Sequence, residues 1–314
     1  MQKLLGGFKF YSYFCSSNQE WVFGFYTRHS TIFCFIVINA EMVKMRFLRV
    51  VVCLSLSLAC LSSCDSVFDV HPYDVRVKGE TQINAKQIVK IEELMKSKDT
   101  IRFAFISDTH QYLSDFSDEV ADINKRDSID FVIHGGDMTD FGGTREFEWA
   151  REKLFKLKVP FVALLGNHDC LGTGEQAYLE MFGSPDFSFI AARIKFVCLN
   201  TNAMEFDYSK PVPNFDYMES QVTENATDFD RTVICMHAAP YCEQFNNNVA
   251  NVFNYYTQKF PNLMFCLYGH GHHTEQNDMF DNGIMYYEVG NVAKRQYYIF
   301  TITPTDYRYE IIDF

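Results

Sequence analysis

Phe131-Val132-Ile133-His134-Gly135-Gly136-Asp137-Met138-Thr139-Asp140 is an apolar run of strand length that stops at two glycines and turns acidic. A short continuous apolar stretch bounded by turn residues reads as a strand buried on both faces. Four further runs have the same form, at residues 103–106, 161–165, 233–236 and 263–267. Each also gives way to polar residues: Asp108 and His110, then Gly166-Asn167-His168-Asp169, then His237, then Gly269-His270-Gly271-His272. Helical spacing lies between and before them. It covers residues 82–95 with Ile88, Ile91 and Leu94, residues near 117–125, and about 144–157, where Phe147, Trp149, Leu154 and Phe155 are expected to face inward. Strands alternating with helices predict βαβ units and an α/β fold. Residues 187–191 and 194–199 read as an adjacent strand pair, and 284–289, 297–302 and 307–312 as a strand-rich tail. Two mixed sheets packed together with helices outside are therefore expected.

Ligands of open α/β sheets bind beyond the carboxyl ends of the strands, where loops from several strands converge. All five polar segments occupy that position, so residues as far apart as Asp108 and His272 are expected to meet. Their side chains are carboxylates, an amide and imidazoles. Such donors suit divalent first-row metals such as manganese, iron and zinc, and one shared carboxylate holds two ions about 3.5–4 Å apart. The pattern reads as a two-metal site and argues for hydrolysis at phosphorus. A purely structural metal site is disfavoured, because those are closed and usually rich in cysteine.

The ordered set Asp-x-His, Gly-Asp-x-x-Asp, Gly-Asn-His-Asp, His and Gly-His-x-His, spanning residues 101–272, resembles the calcineurin-like metallophosphoesterases. That resemblance implies a four-layer αββα sandwich. It also implies that Asp108, His110 and His272 hold one divalent ion, that Asn167, His237 and His270 hold the other, and that Asp137 bridges them. Coordinated water, its pKa lowered to roughly 7, would be the nucleophile. With two divalent ions, the two aspartates and a bridging hydroxide, the site would carry about one positive charge. The family pattern places His168 at the leaving group, as a proton donor, with the Asp140 carboxylate orienting it as a His-Asp dyad. Two departures narrow the class. Phe141-Gly142-Gly143 stands where protein serine/threonine phosphatases continue with Arg-Gly, and Asp140 stands where purple acid phosphatases carry a metal-binding tyrosine. The motif looks more like the phosphodiesterase and small-molecule branches, with a small phosphodiester or phosphomonoester as substrate. A non-catalytic surface lipoprotein that uses the metal-organised fold as a binding platform is the competing reading.

Upstream, Arg46 and Arg49 precede an apolar stretch at 50–61 that is too short to span a bilayer, and Leu61-Ser62-Ser63-Cys64 resembles a bacterial lipobox. Residues 45–64 are thus expected to be a lipoprotein signal, with Cys64 acylated and the protein exported and anchored in the cell envelope. Residues 1–44 precede it as a doubtful extension, aromatic but without clear periodicity, and Met45 or Met42 is the expected start. Residues 65–79 read as a tether and 80–314 as one domain. The chain holds 28 basic and 40 acidic residues; without the 6 and 2 in residues 1–64, 22 and 38 remain, a net charge of −16. A surface this acidic disfavours non-specific nucleic-acid binding. Five cysteines follow Cys64. Cys198, Cys235 and Cys266 read as small buried hydrophobes, while Cys170 and Cys242 lie in loops where they could pair. His134 is expected to be a buried histidine bonded to a backbone carbonyl rather than a third metal's ligand, and His273 a loop residue. Asp169 is open between supporting Asn167 and capping a turn. The glycine pairs read as tight turns that let backbone approach the metals. Specificity is expected from loops 202–216 and 241–248.

Overall fold

The computed structural model describes residues 45–55, 74–206 and 209–314, together with four strands before them. These are β1 (Leu4–Leu5), β2 (Phe8–Cys15), β3 (Glu20–Tyr26) and β4 (Ile36–Asn39). The chain divides into two compact units, Met1–His71 and Pro72–Phe314. In the first, β1 to β4 form an antiparallel sheet in chain order, and residues 45–55 form a helix, α1. Among the described residues no helix is long and apolar enough to cross a membrane. Cys64 and most of the expected tether lie outside the described residues. Residues 74–78 do not hang free: the Thr144 hydroxyl donates to Asp74 O at 2.6 Å, Lys78 N–H donates to Glu148 at 3.0 Å, and Val75 and Val77 pack on the core.

The second unit is built on two sheets. One has five strands in the order β15 (Tyr307–Asp313), β14 (Gln296–Ile302), β5 (Ile101–Ile106), β6 (Phe131–His134) and β7 (Phe161–Ala163). The other has six, in the order β12 (Glu275–Asn277), β13 (Met285–Glu288), β11 (Leu263–Tyr268), β10 (Arg231–Met236), β9 (Ile194–Leu199) and β8 (Phe187–Ala191). Strands β5 to β7 are parallel, as are β9, β10, β11 and β13, while antiparallel strands close the edges. Both sheets are thus mixed, and helices flank them.

The central strands read as unbroken apolar runs because both of their faces are covered. In β10, Val233 and Cys235 join the core between the sheets, while Ile234 and Met236 join a second cluster. Helix α6 (Phe215–Thr223) gives Met218 to that outer cluster, and α7 (Ala250–Thr257) gives Phe253. β11 divides in the same way, Phe265 and Leu267 inward, Cys266 and Tyr268 outward. Between the sheets, Phe103 stacks on Phe131 at 5.1 Å and meets Phe196 of the other sheet edge-on at 5.4 Å. Burying each such ring contributes about 1.5–3 kcal/mol. The remaining helices are α2 (Ile83–Met95), α3 (Leu113–Ile123), α4 (Thr144–Leu154) and α5 (Gly174–Met181).

Helix faces are where the sequence reading needs correction. α3 begins before residue 117, because Phe116, Val120 and Ile123 form its buried stripe. α2 buries Ile83, Ile91 and Met95 and leaves Leu94 exposed. In α4, Phe147, Ala150 and Leu154 face the core, whereas Trp149 and Phe155 are exposed. Both exposed rings find local partners instead: Arg145 sits over Trp149 at 5.8 Å, and Phe155 meets Phe161 edge-on at 5.5 Å.

Candidate metal centre

All five polar loops leave the carboxyl ends of parallel strands and are laced together by backbone hydrogen bonds. Asp108 N–H donates to Gly136 O at 3.0 Å, His110 N–H to Asp137 O at 3.1 Å, and Gly269 N–H to His237 O at 3.1 Å. The lacing requires unusual backbone. Asp108, His110, Asp137, His270 and His272, five of the seven expected ligands, have φ between 42° and 73°. Left-handed backbone outside glycine costs on the order of 1–3 kcal/mol per residue and persists where surroundings over-determine it, often at functional sites. Glycines supply the close approaches. A Cβ on Gly136, itself at φ 106°, would lie 2.7 Å from His237 Nδ1, and one on Gly166 would overlap Asp137.

Two groups of side chains result. Asp108, His110 and His272 form one, Asp137, His237 and His270 the other, each with its ligating atoms within 4.8 Å of one another. Asn167 completes the second, its Oδ1 lying 3.0 Å from both His237 Nε2 and His270 Nδ1. Asp137 stands between the groups: its Oδ2 is 3.2 Å from His237 Nε2 and 3.7 Å from His110 Nε2. The structure thus brings all seven together.

These donors fit cations. His237 Nδ1–H donates to Gly135 O at 2.9 Å and His110 Nδ1–H to Thr139 O at 3.1 Å, so in each neutral ring Nε2 carries the lone pair that faces the site. The His237 lone pair converges on two further acceptors, Asp137 Oδ2 and Asn167 Oδ1. His110 Nε2 is buried with no hydrogen-bond partner, and Asp108 Oδ1 is buried with only His272 Nε2, 3.2 Å away, to face it. Buried acceptors aimed at one another repel unless positive charge sits among them. Protonation responds to the same field. Burial works against charge on His237, but the Asp137 and Asp108 carboxylates outweigh it and lift the imidazole to about 10. Its hydrogen bond to Asp108 raises His272 as well, while burial and then His237 lower His270. Burial alone would push Asp108 up, but the His272 bond and His237 hold it well below the usual carboxylate range. Metal ions and protons compete for these ligands.

His168 is half-buried beside this cluster. Its backbone N–H donates to Asp137 Oδ1 at 2.9 Å, and its ring meets that of His110 edge-on at 4.8 Å. The expected His168–Asp140 carboxylate dyad takes a different form here. His168 Nδ1–H donates to the backbone carbonyl of Asp140 at 2.9 Å, and the Asp140 carboxylate lies 3.3 Å from His110 Nδ1. Asp169 braces both loops: its carboxylate accepts from Met138 N, Thr139 N, Gly166 N and the Thr139 hydroxyl at 2.9–3.2 Å. Burial and the nearby Asp137 raise it to about 7.

His134 is buried as expected, but its bonds differ. Nδ1 accepts from Gly136 N–H at 3.2 Å, so Nε2–H faces the Thr109 hydroxyl at 3.0 Å, with no backbone carbonyl involved. Cys170 and Cys242 are free thiols, and Cys198, Cys235 and Cys266 are buried. Sequence reasoning missed several supports. Glu288 accepts from His273 N–H at 3.1 Å beneath the Gly-His-Gly-His turn, and Asn291 lies 3.4 Å from His272 Nδ1. Glu243 meets His270 Nε2 at 3.2 Å. Glu288 ends an apolar strand, so the strand-end rule applied to the other loops would have found it. Glu243 lies in a loop with no such signal.

Loops from both sheets that gather carboxylate, amide and imidazole donors around two cation positions define a metal-dependent hydrolase of the α/β two-sheet class. Residues 101–274 match the calcineurin-like phosphoesterase profile over more than half of the chain, and the chain belongs to that family. No match was found among curated proteins. Among solved structures, a dimetal phosphatase from Danio rerio is similar at 12% identity and a TM-score of 0.52, covering 68% of this chain and 97% of that one. GAP50 of Plasmodium, described as the anchor in the inner membrane complex, is similar at 11% identity and a TM-score of 0.53, covering 69% and 85%. These two likenesses are of fold.

Proposed function

We propose that this phosphoesterase hydrolyses a small phosphodiester or phosphomonoester at a dinuclear centre, with His168 assisting the leaving group. The observation that carries the reading is the meeting of both ligand groups at Asp137, which also receives the His168 N–H. Bound divalent ions would neutralise phosphate charge and lower the pKa of water. The chain itself supplies the rest. Asp108, His110 and His272 would hold one ion and Asn167, His237 and His270 the other, with Asp137 standing between the two groups. Because His168 Nδ1–H is engaged by Asp140 O, Nε2 is the nitrogen left to take up a proton and give it to the departing oxygen.

Manganese, iron and zinc all suit these donors. The fold alone does not choose between catalysis and a binding platform, since one structural neighbour is a phosphatase and the other is described as an anchor. The intact His168 arrangement favours catalysis. Hydrolysis of bis-p-nitrophenyl phosphate and p-nitrophenyl phosphate is expected with added manganese, iron or zinc; no turnover of either ester with any of the three would favour the platform. His168→Ala should slow turnover about 10²–10⁴-fold with metal content unchanged; undiminished activity would remove it from the mechanism.

The acidic surface leaves phosphate attraction to the metals themselves and argues against nucleic acid as a non-specific partner. Arg46, Arg49, the apolar stretch and Leu61-Ser62-Ser63-Cys64 support export and envelope anchoring through acylated Cys64. Labelling with a fatty-acid probe should mark the parental chain and not Cys64→Ser.

A further inference from the structure

Outside the two groups above, Cys242, Glu243 and His270 bring a thiol, a carboxylate oxygen and an imidazole nitrogen within 4.8 Å of one another. We propose that they form an outer seat for a soft divalent ion such as zinc, and that its occupation excludes the inner ion held through His270. In tetrahedral zinc sites, ligand atoms lie about 3.5 Å apart, as follows from bond lengths of about 2.0–2.3 Å. Glu243, its side chain 77% exposed, is free to close that gap. The loop is already shaped for it. Asn247 accepts from Tyr241 N–H at 2.7 Å and donates to Cys242 O at 2.8 Å, which fixes the turn carrying Cys242 and Glu243; burial raises the free thiol, and the backbone N–H groups of Phe245 and Gln244 only partly oppose it, so the bound cation itself displaces the thiol proton.

The exclusion follows from imidazole chemistry. His270 Nδ1 faces the inner group, 3.0 Å from Asn167 Oδ1, and Nε2 faces outward, 3.2 Å from Glu243 Oε1. A neutral imidazole has one lone pair. With the inner ion bound through Nδ1, Nε2 carries the proton and donates it to Glu243, which then orients the ring. With an ion in the outer seat, Nε2 supplies the lone pair, the proton moves to Nδ1 through solvent, and the Cys242 thiol releases its own proton to water. Nδ1–H then points at the inner position and the ligand there is lost. Thiolate adds to the outer seat a preference for soft ions stronger than that of the inner oxygen and nitrogen donors. The exclusion, though not the outer seat, rests on His270 holding the inner ion.

The test uses the full chain loaded with manganese. Titration with cobalt(II) should produce a thiolate-to-cobalt charge-transfer band in the near ultraviolet, absent from Cys242→Ser and from Cys242→Ala. Titration with zinc should release manganese, read by elemental analysis, at a concentration about tenfold lower in the parental protein than in Cys242→Ser. No band in the parental protein, a band that survives Cys242→Ser, or zinc binding that leaves manganese in place would each overturn the proposal. A band and manganese release without turnover of any ester would uphold the seat and sink the catalytic reading instead.

Discussion

Replacing Gly166 with alanine tests whether the distance between the Asn167 and Asp137 loops sets the rate. A Cβ at this position would stand 2.8 Å from Asp137 Cα and closer still to Asp137 N and Oδ1. Carbon atoms rest at about 3.5–4.0 Å, so the two loops must part by about 1 Å. Gly166 does not have a left-handed φ, so the alanine backbone itself is unstrained and the clash is the whole perturbation. A 1 Å misplacement at a reacting centre costs about 10²-fold in rate, or about 2.7 kcal/mol. Crowding a close-packed site costs about 1–3 kcal/mol of stability, which lowers the melting temperature without unfolding the domain at room temperature. The assay is initial-rate hydrolysis of bis-p-nitrophenyl phosphate with saturating manganese, alongside elemental analysis and thermal melting. Activity within about threefold of the parental value, with both metals bound, would refute the idea that these loops are held at a distance that matters.

Other perturbations address the supports. Asp169→Asn places an amide N–H₂ against three backbone donors and the Thr139 hydroxyl, now satisfied by four bonds to the carboxylate, each orphaned donor costing about 1–3 kcal/mol; weaker metal retention and a lower melting temperature are expected, and unchanged values for both would contradict the bracing role. Burial holds His134 neutral down to about 3. Its folded pKa is depressed below the unfolded value of about 6.5, so its contribution is complete above pH 6.5 and is lost as pH falls from there towards 3, up to about 5 kcal/mol. Denaturant titrations at pH 7 and pH 4.5 should therefore show a smaller pH difference for His134→Gln than for the parental chain. Chelation should leave Asp108 and Asp137 facing one another across the emptied centre; an ion at 100 times its Kd adds about 2.7 kcal/mol, so the melting temperature should fall with chelator and return with manganese.

Chemistry was legible because ligand types are fixed by charge and lone pairs, which a side chain carries wherever it sits. Strand ends were legible because a strand covered on both faces is largely apolar and then stops: β5, β6, β10 and β11 all do so within three residues of a ligand. Helix faces were less so. In α4, Trp149 and Phe155 satisfy hydrophobic spacing yet lie outside, since Arg145 and Phe161 cover them locally.

The amino-acid sequence by itself determined the seven donors, their order and their place at the ends of strands, because those depend on residue identity and hydrophobic run length. Only the tertiary structure decided how each donor points. Five ligand backbones are left-handed where loops from different strands are hydrogen-bonded to one another, a condition no local pattern encodes. The same long-range packing turned the Asp140 carboxylate to His110 and its carbonyl to His168, and set Cys242 and Glu243 beside His270. Composition specifies what a side chain is able to bind; the direction it faces is settled by contacts that exist after the chain has closed on itself.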